Sequence, residues 1–160
     1  MLARDWPAVP ARGYAARMKA NRSIPAAQII PVLVYPDVRA AVAWLCAAFG
    51  FVERLRIGEN HRSQLQLGTG AVIIADVRAE RCAPRSGEST HAVLVRIEDV
   101  RSHCERARRH GAQILSEPED FPYGERQYSV TDLAGHHWTF SQTLEDVPPE
   151  SWGGTPGAMT

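Results

Sequence analysis

The chain lacks a charge imbalance, a long apolar run and a cysteine framework. Lysine plus arginine and aspartate plus glutamate each number 18 in 160 residues, so no bulk charge draws it to nucleic acid or to a membrane surface. No apolar run approaches the ~20 residues of a spanning helix, and the longest, around Ile29 to Val34, suits a buried strand. The first residues carry Arg4 and Arg12 but no continuous apolar core, so no secretory signal is expected. The three cysteines, Cys46, Cys82 and Cys104, are odd in number, far apart and without metal or redox spacing. Cys46 and Cys104 fall on the apolar faces of predicted helices, so buried free thiols in a reducing cytoplasm are expected.

What is present is a patterned region flanked by a basic start and a polar end. Residues 1–25 read as an appendage, with Arg4, Arg12, Arg17, Lys19 and Arg22 against the single acid Asp5. It reads as a mobile arm, as sequence upstream of a true start at Met18, or as an arm docked on a partner through Trp6 and Tyr14. From Gln28 to Tyr35 a strand is expected. Asp37 then caps a helix to Phe49, with Val38, Ala41, Val42, Leu45 and Phe49 on one face and Gly50 as its stop. Phe51 to Ile57 reads as a strand, and Arg62 to Leu67 with Ala71 to Asp76 as a hairpin across Gly68-Thr69-Gly70. A polar linker follows over residues 78–89.

The pattern then restarts. His91 to Ile97 is a predicted strand, Asp99 caps a helix to His110, and Ala112 to Ser116 is a strand followed by the loop EPEDFPYG. The closing hairpin, within PYGERQYSVTDLAGHHWTFSQ, alternates Tyr128 and Val130 with Gln127, Ser129 and Thr131. After the turn Asp132-Leu133-Ala134-Gly135, Trp138 and Phe140 alternate with His137, Thr139 and Ser141. The halves match at residue level, Val32-Leu33-Val34 with Asp37-Val38-Arg39 against Val93-Leu94-Val95 with Asp99-Val100-Arg101. The expected fold is α+β, one domain over residues 26–144 built from two β-α-β-β-β modules, 26–77 and 90–144, with a tail from 145 to 160.

The order and spacing of PVLVYPDVRAAVAWLCAAFGF, THAVLVRIEDV, EPEDFPYGERQYSVTD and AGHHWTFSQ resemble the vicinal oxygen chelate superfamily. That group includes glyoxalase I, bleomycin-resistance proteins and extradiol dioxygenases, and the resemblance is strongest to a bacterial branch ending YGxRxYSVxDPxGHxWTF. It implies a homodimer with clefts between modules. It also implies, for the metalloenzymes, one divalent ion held by four side chains on the concave sheet faces. Carried across, those positions are Ile30, Gln64, Thr139 and either His91 or Ala92, depending on register. That set has no carboxylate and an aliphatic member, so no cofactor is expected, with a divalent metal as the alternative. The pair His136-His137 has no acidic or cysteine companion nearby and reads as a solvated turn.

With Thr139 facing the cleft, the alternation puts His137, Ser141, Gln127 and Ser129 on that side and packs Trp138, Phe140, Tyr128 and Val130. Gln64 and Gln66 alternate with Leu65 and Leu67 in the first module, and Phe121, Tyr123 and Arg126 sit on or beside the loop at the mouth. The alternative for this loop is that its aromatics pack and Arg126 pairs with Glu125 or Asp120. The candidate ligand-binding cleft is therefore Gln64, Gln66, His91, Phe121, Tyr123, Arg126, Gln127, Ser129 and Thr139. Three functions are weighed: a metal-independent binder of a small organic ligand, with no nucleic acid or membrane partner; a metal-dependent lyase or transferase needing His91; and a protein-interaction module using the arm or tail.

Overall fold

The structure, a computed structural model, describes residues 19–155 and residue 157. The expectations resting on Met18, Trp6 and Tyr14 lie outside the described residues. Each module runs strand, helix, three strands: β1 (Val32–Tyr35), α1 (Val38–Phe49), β2 (Val52–Ile57), β3 (Arg62–Leu67) and β4 (Gly70–Asp76), then β5 (Ala92–Arg96), α2 (Val100–Arg109), β6 (Gln113–Asp120), β7 (Glu125–Thr131) and β8 (His137–Thr143). The sheets have equivalent orders, β1-β4-β3-β2 and β5-β8-β7-β6, each with one parallel pair between its first and last strands. A parallel neighbour requires a crossover, and the helix supplies it. None of the described helices is long and apolar enough to cross a membrane.

The helix starts follow their caps. Asp37 accepts from the Ala40 amide at 2.9 Å and Asp99 from the Ser102 amide at 3.0 Å, each satisfying a first-turn N–H. Gly50 ends α1 in the left-handed region, φ 79°, where a side chain is strained. The last turn of α1 has no basic residue of its own. Its exposed carbonyls are met from the other module: Arg106 Nε donates to Ala48 O at 3.1 Å and His103 Nε2 to Phe49 O at 3.1 Å.

That exchange lies beside one shared core. Phe49 places its ring 4.8 Å from Phe140, 5.5 Å from Trp138 and 4.9 Å from Trp44. Leu33, Tyr35, Leu65 and Ile74 of the first sheet and Tyr128, Val130, Trp138 and Phe140 of the second join the same buried cluster. Neither module buries its helix-facing side alone, which is why duplication yields one folding unit.

Three boundaries differ from the sequence reading. The first strand begins at Val32 rather than Gln28, because residues 19–30 run across the first sheet instead of extending it. The stretch expected to be a loop after Ser116 belongs to β6, an edge strand whose register with β7 slips twice, between Ile114 and Ser116 and between Ser116 and Glu119. An edge tolerates Pro118 and such irregularity because one side needs no partner. Of residues 19–25, expected within a mobile arm, Pro25 is buried and the Ser23 carbonyl accepts from Gln64, while residues 19–24 are exposed. Of the thiols expected to be buried, Cys104 is buried, Cys46 half-buried and Cys82 exposed, all free.

Candidate functional site

The closing turn ties the modules together before any outer face is considered. Asp132 is 6% exposed. Its Oδ1 accepts from the Ala134 and His136 amides, both at 3.0 Å, and its Oδ2 accepts from Trp138 Nε1 at 3.0 Å and from Tyr35 OH at 2.5 Å. Burial first, and the Asp132 charge second, hold the Tyr35 hydroxyl well above the usual phenol range, so it stays a donor. His136, expected in a solvated turn, is 5% exposed and donates Nε2–H to the Val34 carbonyl at 2.8 Å. A tight turn brought against β1 cannot remain solvated, and the sequence alone does not show what a turn packs against.

The second sheet's outer face carries a continuous polar row. Parallel register pairs Ala92 with His137, Leu94 with Thr139 and Arg96 with Ser141, while antiparallel register pairs Thr139 with Ser129 and Ser141 with Gln127. Ser129 and Thr139 hydroxyls lie 3.2 Å apart. Tyr123 OH donates to Gln127 Oε1 at 3.2 Å, Gln127 Nε2 to Ser141 Oγ at 3.0 Å, and Ser141 Oγ to Glu125 Oε2 at 2.5 Å. Thr143 Oγ1 donates to Glu125 Oε1 at 2.5 Å and accepts from Arg96 Nη2 at 2.8 Å. Partial burial pushes the Glu125 carboxyl up, but the Ser141 and Thr143 hydrogen bonds and the Arg96 charge outweigh it, so its pKa is lowered. The row therefore ends on an ionised, paired carboxylate.

Glu125 was weighed in the sequence only as a partner for Arg126. Alternation from Gln127 was the available signal, since residues 125, 127 and 129 share a face. Arg126 alternates the other way, onto the face of Tyr128, and forks onto Asp120 at 2.5 and 2.8 Å. It does not join the polar row. Phe121 and Tyr123 stack at 5.3 Å, and Trp152 of the short helix Pro149–Trp152 closes on Tyr123 at 5.5 Å.

The first sheet's outer face is built differently. Gln64 lies opposite Ile73, which pairs with Val32, in one row. Its amide is fully engaged: Oε1 accepts from Arg54 Nη1 at 2.5 Å and Nε2 donates to Ser23 O at 2.8 Å, while Arg54 Nη2 donates to Arg22 O at 2.6 Å. Gln64 is buried, beneath residues of the N-terminal segment. Gln66 is exposed and donates to the Gly68 carbonyl of its own turn at 2.9 Å. A cavity of about 850 Å³ separates residues 19–30 from Arg54, Gln66 and the β3–β4 turn.

Register also places the metal positions that the resemblance implied. Ala92, not His91, pairs with His137 and shares the face of Thr139. His91 precedes the strand, is exposed, and lies with Nδ1 3.2 Å from Thr90 Oγ1. Ile30 offers no donor, Gln64 is committed to the chain, and Thr139 is paired with Ser129. Among the described residues no group of three or more His, Cys, Asp or Glu side chains is placed to hold a metal ion. This donor set does not fit a catalytic divalent ion, which takes several N or O ligands with compensating charge.

The family model described as Glyoxalase/Bleomycin resistance protein/Dioxygenase superfamily matches residues 27–140. An uncharacterized protein of Mycobacterium tuberculosis strain H37Rv is 28% identical over 127 residues, covering 73% of this chain and 75% of that one. Among solved structures, TioX from Micromonospora sp. ML1 is 34% identical, with TM-score 0.62 over 74% of this chain and 99% of that chain. A glyoxalase/bleomycin resistance protein/dioxygenase from Nocardioides shares the fold at 20% identity and TM-score 0.58, over 82% of this chain and 87% of its own.

Proposed function

The chain belongs to the Glyoxalase/Bleomycin resistance protein/Dioxygenase superfamily, and from that membership we propose that it is a metal-independent binder of a small organic ligand, seated on the outer face of the second sheet. The observation that carries this reading is the row of half-buried neutral hydrogen-bonding groups, Tyr123, Gln127, Ser129 and Thr139, which stays half-exposed among the described residues. Hydroxyl and amide groups beside the exposed Leu94 orient a ligand without supplying a nucleophile and its base. In this reading the ligand is aromatic or amphipathic. Its polar edge meets the hydroxyl pair of Ser129 and Thr139, and Tyr123 flanks it.

The working form in this proposal is a homodimer in which a second copy closes the face. Support comes from large apolar side chains left exposed on or beside the outer faces: Ile29 at 84%, Leu94 at 57% and Val32 at 46%. An exposed apolar patch rimmed by polar groups is the usual ground for association.

A thermal-shift screen of aromatic and amphipathic compounds, run with and without chelator, tests the reading. Saturable binding indifferent to chelator, and weakened about tenfold or more in Ser129→Ala/Thr139→Val, is the expected result. Trp152, beside Tyr123, supplies the fluorescence reporter. A binder that requires added divalent metal, or no binder at millimolar concentration, overturns it. Light scattering that finds a monomer at every concentration removes the dimer.

A further inference from the structure

A different cavity, of about 370 Å³, lies where the modules meet. Its floor is β1 at Val32 to Val34, its roof is the linker from Cys82 to Thr90, and its end wall is Gly135 to His137. The roof has little regular structure: a single bridge, between Arg78 and Arg81, precedes it. The volume and the apolar floor suit a compact organic molecule.

His136 lines this cavity, and among the described residues one of its ring nitrogens has no partner. His136 is 95% buried, and its Nε2–H is committed to a carbonyl, which only accepts. In the neutral ring Nδ1 then carries a lone pair, and this atom is buried with no hydrogen-bond donor. The nearest aromatic neighbours cannot supply one. Tyr35, with ring centroids 4.6 Å apart, gives its hydroxyl to Asp132, and the His91 ring is 6.5 Å away. Buried polar atoms are nearly always paired, so an acceptor that no described residue serves, on a side chain lining a cavity under a loosely built roof, marks a place for a bound donor.

We propose that this inter-module cavity binds a small, largely apolar molecule carrying one hydroxyl or N–H donor, of the chemical class of phenol, with that donor on His136 Nδ1 and its ring between Val34 and Pro84. The linker is the part that yields to admit it. The site is separate from the second-sheet row and does not depend on the function proposed for that row.

Phenol is the probe, titrated into the full chain by calorimetry and by NMR with 15N-labelled histidine. Saturable binding is expected, with the His136 Nδ1 resonance moving from a free to a hydrogen-bonded acceptor while Nε2 keeps its proton. His136→Gln keeps an amide N–H for the Val34 carbonyl and removes the Nδ1 acceptor, and it weakens phenol about tenfold or more. Ala83→Trp fills the cavity from the roof and abolishes phenol binding without moving the His136 signals of the free protein. Its result stands if the glutamine variant does not fold. Absence of saturation, unchanged affinity in either variant, or an Nδ1 already hydrogen-bonded to water in the free protein overturns the proposal.

Discussion

The two sheets share an order, a crossover helix and a capping aspartate, yet they finish their outer faces in opposite ways. The first face is partly covered by the chain itself, through Arg54 and Gln64 holding the carbonyls of Arg22 and Ser23. The second stays half-exposed among the described residues, and its polar groups satisfy one another along Tyr123, Gln127, Ser141 and Glu125. A duplicated fold thus separates two tasks. The first spends a buried amide on the chain's own backbone, while the second pairs side chain with side chain. The joint between them, Asp132 and the Phe49 aromatic cluster, serves both.

The largest effect expected is at that joint. Asp132→Ala leaves the Tyr35 hydroxyl, the Trp138 indole and two amides without their acceptor, and should lower stability by about 3–5 kcal/mol, read by urea denaturation. If the variant loses less than about 1 kcal/mol, the turn carboxylate is not what couples the modules.

Acid should weaken the same region by a different route. His103 is buried, its Nε2–H given to Phe49 O, so its Nδ1 accepts from Tyr128 OH at 2.6 Å. Burial, with the Arg106 charge beside it, lowers its pKa from 6.5 to about 4. Between those values the unfolded chain binds a proton that the folded chain refuses, so stability is full above the unfolded value and declines as pH falls through the window. The loss approaches about 3 kcal/mol near pH 4. Denaturation midpoints at pH 7.5, 6 and 4.5 check it, and a His103→Gln chain should show a flatter profile.

A smaller effect separates the two faces. Gln64→Ala should cost about 1–2 kcal/mol and expose residues 22–24 to amide exchange, while amides of β7 and β8 keep their protection. Equal loosening of both sheets would mean that the N-terminal segment is not a local closure. Smallest of all, Ser129→Ala should change stability by no more than about 0.5 kcal/mol, because its hydroxyl pair is half-exposed, yet it should reduce ligand binding measurably. A large stability loss there would assign the second-sheet row to structure.

Much of the architecture was legible beforehand because it rests on local rules. Asp37 and Asp99 cap where the apolar period begins, Gly50 stops α1, and alternation sends Trp138, Phe140, Tyr128 and Val130 inward, where all four are fully buried. The candidate site was legible only in part. Gln127, Ser129 and Thr139 share the face that alternation gave them, whereas Arg126 sits on the other face, Gln64 lies under residues 22–24, and Glu125 was missed as the acceptor at the end of the row. Each of these depends on a partner distant in sequence, or on parity within a strand whose start the sequence leaves uncertain.

The sequence by itself determined the elements, their duplication and the inward set of apolar residues, because caps, periodicity and turn chemistry act over a few residues. Tertiary structure alone decided that α1 is capped by His103 and Arg106 of the other module, that Ala92 rather than His91 shares the face of Thr139, and that His136 is buried with one nitrogen unpaired among the described residues. Those outcomes turn on which surfaces meet, and a hydrogen bond spanning about a hundred residues, such as His136 to Val34, leaves no periodic mark in the chain.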